Sequence, residues 1–144
     1  MRGLDTNVLV RYLVADDAEQ TASAVRIVEH SRGTGGVLYI SVVVLCELVW
    51  VLTRGYGHAK AEIVRVLELI LRTKQFRLEN DPLVRRSLDA FQAGRGDFAD
   101  YLIGEICRQA GCDDCITFDR GLKGAAGFTL LRSKPASRGF GSFN

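Results

Sequence analysis

Five acidic residues stand where a carboxylate is conspicuous or expensive. Asp5 follows Arg2-Gly3-Leu4 and precedes an apolar run interrupted by Arg11. Glu47 lies inside SVVVLCELVWVL, Asp97 and Asp100 open DFADYLIGEICRQAG, and Asp119 closes ITFD. Each has a plain structural reading. Asp is a favoured N-cap residue, and acids in a first helical turn complement the helix dipole. That accounts well for Asp97 and less fully for Asp100, one turn further in. Glu47 is harder to explain this way. Val43, Val44, Leu48 and Val51 surround it at i±3 and i±4 spacing, so its own helix face reads as apolar. A lone carboxylate there is costly unless a cation offsets its charge. Carboxylates that converge without Lys or Arg partners repel, and their pKa values rise. Divalent cations remove that cost. All-oxygen ligation suits Mg²⁺ or Mn²⁺, and two such ions can clamp the attacking and leaving oxygens of a phosphodiester.

The surrounding elements must bring these acids together. Arg2–Leu4 reads as a short strand ending at Asp5, and Thr6 to Val14 as a short buried helix. Asp16-Asp17 starts a second helix, and the glycines from 33 to 36 mark a loop. Val37–Ile40 has strand character, and Ser41 is placed to cap the helix SVVVLCELVWVLTR. His58 to Lys74 is amphipathic at helical spacing. Phe76–Leu78 is a strand, and Asp81-Pro82 a helix start with Asp as cap. Asp97 to Ala110 is a helix closed by Gly111. Cys115–Phe118 and Phe128–Leu131 complete the strands. Short strands separated by helices imply an α/β fold with a parallel sheet covered by helices on both faces. In such sheets, sites form at the carboxyl ends of strands, where Asp5 and Asp119 both fall.

Composition sets the outer bounds. With 144 residues, 47% hydrophobic and 25% charged, the chain reads as one globular domain over residues 1–132 with a flexible glycine- and serine-rich tail over 133–144. Charges interrupt every apolar run and no signal-peptide pattern opens the chain, so a cytoplasmic location without membrane contact is expected. The net charge of +2 argues only weakly for a polyanionic partner. A local basic rim from Arg2, Arg11, Arg54, Lys60, Arg65, Arg72, Lys74, Arg132, Lys134 and Arg138 would favour phosphate backbones. Cys112-Asp113-Asp114-Cys115 spells C-x-x-C. It lies between a helix and a strand, whereas a redox pair opens a helix, and no second ligand pair completes a zinc set. Cys46 and Cys107 read as small buried hydrophobes.

The set DTNVLVRYL, IS…LCELVWVL, DFADYLIG and ITFDRGL, in this order, resembles the PIN-domain family. It is most similar to VapC-type toxins of bacterial and archaeal toxin–antitoxin pairs, over roughly residues 3–131. Cys112–Cys115 and the tail match no family motif. The resemblance implies a three-layer α/β/α sandwich with a short parallel sheet. It implies Mg²⁺- or Mn²⁺-dependent RNA cleavage and a small antitoxin partner of VapB type. The family's four acids match Asp5, Glu47, Asp100 and Asp119, with Asp97 the extra acid many relatives show. Asp5, Asp100 and Asp119 would hold the metal, and Glu47 would orient water or act as base. Asn7, Ser41 and Thr117 match small polar positions around the pocket.

Other classes fit less well. A receiver domain needs an acidic pair near its first strand and a late lysine. A haloacid dehalogenase-like phosphatase needs D-x-D where this chain has D-T-N. A non-catalytic PIN-like module for RNA binding or interaction is the remaining alternative. It would be expected to have lost acids, and none is missing. Finally, the apolar helices around Trp50, Val51 and Tyr56 carry more hydrophobic surface than one sheet face needs, which points to a homodimer.

Overall fold

A computed structural model of the chain describes residues 1–132. The tail expected over 133–144, with Lys134 and Arg138 of the expected basic rim, lies outside the described residues. The elements follow the order β1 (Arg2–Gly3), α1 (Thr6–Leu13), α2 (Ala18–Thr34), β2 (Leu38–Ile40), α3 (Val42–Trp50), α4 (Lys60–Arg72), β3 (Phe76–Leu78), α5 (Asp81–Ala93), α6 (Phe98–Gln109), β4 (Cys115–Thr117) and β5 (Phe128–Leu130).

All strand pairs are parallel, as the helical connections require. The ladders, however, form two sheets rather than one: β1-β2-β3 and β4-β5. Leu38 sits opposite Arg2 on one side and Phe76 on the other, and Cys115 sits opposite Phe128. Strands of two or three residues offer few ladder bonds, so packing rather than the ladder joins the two halves. Leu38, Ile40, Leu45, Leu48, Leu52, Ile70, Phe98 and Leu102 are fully buried in one continuous core that also takes in Leu122.

Local signals place most helix starts. Asp17 accepts a bond from the Gln20 N–H at 2.9 Å, and Ser41 Oγ accepts from the Val44 N–H at 3.2 Å. The start of α5 departs from expectation. Asn80, not Asp81, is the cap, accepting from the Leu83 N–H at 3.2 Å. Asp81 lies inside the first turn, where it pairs with Arg85 at 2.6 Å. The α3 helix also stops short of its expected end. From Val51 to Gly55 the chain widens into a π-helical turn, with the Tyr56 N–H donating to the Val51 carbonyl five residues back at 3.2 Å. Such turns recur at functional positions.

Close packing around α6 positions two of the acids. Phe98 meets Phe91 of α5 edge-on, 5.9 Å between ring centres. The Tyr101 hydroxyl accepts the Gly96 N–H at 2.9 Å. Gly104 lies against Phe128, and a Cβ there would stand 2.6 Å from the ring. Gly94 is tighter still, because its Cβ would lie 1.9 Å from the Tyr101 hydroxyl and 3.0 Å from the Ala90 carbonyl. Gly94→Ala must therefore displace Tyr101 and the loop leading into α6. The expected cost is about 1–3 kcal/mol, the usual penalty for overpacking, read as a lower urea midpoint at unchanged slope.

Candidate active site

Asp5 and Asp119 occupy equivalent places. Each follows its strand by one intervening residue, Leu4 after β1 and Phe118 after β4, and each opens a helical turn: α1 for Asp5, a 3₁₀ turn over Arg120–Leu122 for Asp119. Asp97 caps α6, and Asp100 sits in its first turn. The capping reading and the site reading thus describe the same geometry. Asp5 Oδ1 accepts the Thr6 N–H at 2.8 Å. Asp100 Oδ2 accepts the Asp97 N–H at 2.9 Å. Asp119 Oδ1 accepts the Gly121 N–H at 2.8 Å. In all three the backbone holds one carboxylate oxygen, and among the described residues the other makes no hydrogen bond.

Glu47 corrects the sequence reading. Its side chain is exposed, as are Val43 and Trp50 at 65% each, so this stripe of α3 faces outward and not into the core. The buried face turns instead on Val44, Leu45 and Leu48. Glu47 nonetheless points to the acids. Its Oε2 accepts from the Thr6 hydroxyl at 3.3 Å, which ties α3 to the residue beside Asp5. Thr6 is buried and was missed in the sequence reading, its only signal being its place between two polar residues in D-T-N.

The smaller polar residues divide. Thr117 Oγ1 accepts the Asp119 N–H at 3.0 Å and so orients that acid. Ser41 is occupied in capping α3. Asn7 lines a separate concavity of about 540 Å³ with Arg11 and Gln20, apart from Glu47 and Asp97. Those two acids share a groove of about 620 Å³ between α3 with its π turn and the start of α6. Trp50, Arg54, His58 and Arg95 also face it.

The basic rim is only partly as expected. Arg11 pairs with Asp16 at 3.0 Å, and Lys60 Nζ donates to the Gly94 carbonyl at 2.8 Å while lying over the Phe91 ring. Arg54 and Arg95 make no ion pair among the described residues, and Arg95 was not singled out in the sequence.

The electrostatics are those of crowded like charges. The Asp100 carboxyl is held above its ordinary value, first by burial and then by the charges of Asp119 and Asp97, against the opposing pull of the Asp97 N–H. None of Asp5, Glu47, Asp97, Asp100 or Asp119 forms an ion pair with a described Lys, Arg or His. Hard oxygen donors without a cation suit Mg²⁺ or Mn²⁺. No three His, Cys, Asp or Glu side chains among the described residues already stand as a closed ligand set. The fit is therefore one of donor chemistry and charge. The cysteines offer no competing centre. The Cys107 thiol is pushed up, first by a hydrogen bond with the Cys115 thiol and then by burial, and all four thiols are free.

The chain is thus a parallel α/β protein with carboxylates at its strand ends and helix starts. The PIN domain profile matches residues 4–127, and the chain belongs to the PIN-domain family. A VapC ribonuclease of Aquifex aeolicus (strain VF5) is 28% identical over 123 residues, 85% of this chain and 90% of that one. The crystal structure of VapC20 from Mycobacterium tuberculosis, a sarcin-ricin loop cleaving toxin, is 22% identical, with a TM-score of 0.42 over 92% of this chain and 100% of that one.

The raised Asp100 value has a stability consequence. An acid whose folded pKa lies above its ordinary value, here 3.8, contributes stability that is complete below that value and is lost as pH rises through the folded one. At neutral pH without metal, Asp100→Asn should therefore melt about 1–3 °C higher than the parent, and the gain should vanish near pH 3. Adding Mg²⁺ should raise the parent's melting temperature more than the variant's. Thermal scans in chelator and in Mg²⁺ across this pH range check both.

Proposed function

We propose that this chain is a Mg²⁺- or Mn²⁺-dependent endoribonuclease acting as the toxin of a toxin–antitoxin pair in the cytoplasm. One observation carries the reading. Asp5, Asp100 and Asp119 each give one oxygen to a backbone N–H and keep the other unengaged, in surroundings where burial and like charge disfavour the ionised form of Asp100. Membership of the PIN-domain family and the likeness to a VapC ribonuclease support it. Retention of all four family acids speaks against a non-catalytic module.

Asp5, Asp100 and Asp119 would hold the ion, which when bound supplies positive charge to phosphate oxygens and lowers the pKa of water. The chain's own groups do the rest. Backbone N–H donors fix the three carboxylates, Thr117 orients Asp119, and the Thr6 hydroxyl holds one oxygen of Glu47. The other Glu47 oxygen would accept a proton from an attacking water. Arg54 and Arg95 at the groove supply cations for the RNA backbone.

A small antitoxin of VapB type would silence the site by bringing an Arg or Lys among the carboxylates, where it competes with the metal. A homodimer would form through apolar surface other than Val51 and Tyr56. Val51 packs against the core, and the Tyr56 hydroxyl is tied to Asp16 at 2.6 Å, so neither is surplus. Val43 at 65% and Leu69 at 46% exposure remain as apolar surface for a second copy.

Purified protein should cleave at least one RNA among tRNA, rRNA and synthetic single strands with Mg²⁺ or Mn²⁺, and none in EDTA. Asp5→Asn should lower that rate about 10²–10³-fold with an unchanged circular dichroism spectrum, because Asn still accepts the Thr6 N–H. Cleavage persisting in EDTA refutes the metal mechanism. Sedimentation equilibrium at micromolar concentration should give twice the 15.9 kDa chain mass; a clean monomer refutes the dimer.

A further inference from the structure

The groove beside Glu47 and Asp97 holds features that acid chemistry leaves unused. Trp50 is 65% exposed at its wall. An indole left in water at a concave, mostly apolar site is a binding surface rather than core. Ile63, Phe91 and Phe98 line the same groove and give it an apolar lining. Its volume, about 620 Å³, falls within the roughly 300–1,000 Å³ typical of small-ligand sites. Arg54 and Arg95 face it without an anionic partner among the described residues. Arg54 is carried by the π turn that directly follows Trp50, so the ring and the cation come from consecutive turns of chain.

We propose that this groove is the subsite for an unpaired RNA nucleobase, stacked on the Trp50 indole, with its flanking phosphates held by Arg54 and Arg95. The inference rests on the ribonuclease reading for its substrate class and deepens it. Three features on the groove fit that occupant together. An aromatic face accepts any unstacked base. Two cations without partners match a polyanion in charge. Glu47 and Asp97 line the same groove, so a nucleotide held there lies beside two of the acids. A base inside a duplex cannot reach such a ring, because its faces are already stacked. The chain therefore selects loops, bulges and single strands.

Trp50 is the sole tryptophan of the chain, so its fluorescence reports on the subsite alone. A short mixed-sequence oligoribonucleotide titrated in EDTA should quench Trp50 with saturation. The same strand as a duplex, or an abasic strand with the same phosphates, should not. Read by the anisotropy of an end-labelled strand, which needs no tryptophan, Trp50→Ala should raise the Kd about tenfold or more, the range of one stacked base, and Trp50→Phe should recover most of it. Arg54→Ala with Arg95→Ala should flatten the salt dependence of binding. Cleavage of the same strand in Mn²⁺ is followed in parallel. If RNA is cleaved while Trp50 stays silent and Trp50→Ala binds as the parent does, the subsite is overturned and the nuclease reading stands. If Trp50 is quenched by the unpaired strand yet no divalent ion supports cleavage, the subsite stands and the nuclease reading falls. Equal quenching by the abasic strand, or an emission change that follows protein concentration alone, overturns the subsite; the latter assigns the groove to a second copy. No binding and no cleavage overturn both.

Discussion

Mutual repulsion among carboxylates is the constraint around which this structure is arranged. Asp97, Asp100 and Asp119 are close enough for the charges of the other two to raise the Asp100 pKa, and no described cation offsets them. A chain with this pattern must hold its acids in place at a cost to its own stability. It does so with the backbone. Asp5, Asp100 and Asp119 each accept one N–H at the head of a helix or 3₁₀ turn, where the dipole favours negative charge. The same contacts leave one oxygen of each carboxylate without a partner. A residue placed for capping thus keeps an oxygen that a cation could use.

The second requirement is that separate elements keep these acids in register despite very short strands. Here the α6 region bears most of the demand. Phe98 locks against Phe91, Tyr101 holds the Gly96 N–H, and Gly104 admits Phe128 of β5. These contacts set where Asp97 and Asp100 stand relative to Asp119, which lies just before the β5 region in sequence. On the other side, the buried Thr6 hydroxyl reaches Glu47, so α1 and α3 meet at a polar contact beside Asp5. Precision at the site comes from side-chain packing and glycine clearances more than from sheet ladders.

That division explains what could be read from sequence. Strand positions, helix starts and the four acids are local signals, and the structure places β2, β3, α1 and α6 within a residue or two of expectation. Asp81-Pro82 carries the stronger local pattern, yet Asn80 is the cap, because the cap is decided by which residue leaves the helical backbone. The apolar neighbours of Glu47 at helical spacing point to a buried face. Only the assembled fold shows that Val43 and Trp50 lie outward with it. The split of the sheet and the gathering of Arg54, Arg95 and Trp50 at one groove depend on contacts between distant segments, which no local pattern encodes.

The groove and the acids also share a frame. The Arg11 guanidinium donates to Asp16 and to the Tyr56 hydroxyl at 3.0 Å each, and that hydroxyl donates to Asp16 at 2.6 Å. An isolated ion pair this exposed contributes little. Here three groups from α1, the turn before α2 and the end of the π turn close a ring in which each restrains the other two. The hydrogen bond from Tyr56 is the largest influence lowering the Asp16 carboxyl below its ordinary value, and Arg11 adds to it. The ring matters because of what its elements carry. Helix α1 opens at Asp5, and the π turn carries Arg54. Fixing the end of one to the end of the other sets the distance from Asp5 to the cation of the groove wall. A π turn is the wider and less regular way to continue a helix, and this one is held at its far end by the polar ring and by the His58 N–H bond to the Leu52 carbonyl at 3.0 Å. The irregular segment is thus pinned where it forms the edge of the groove.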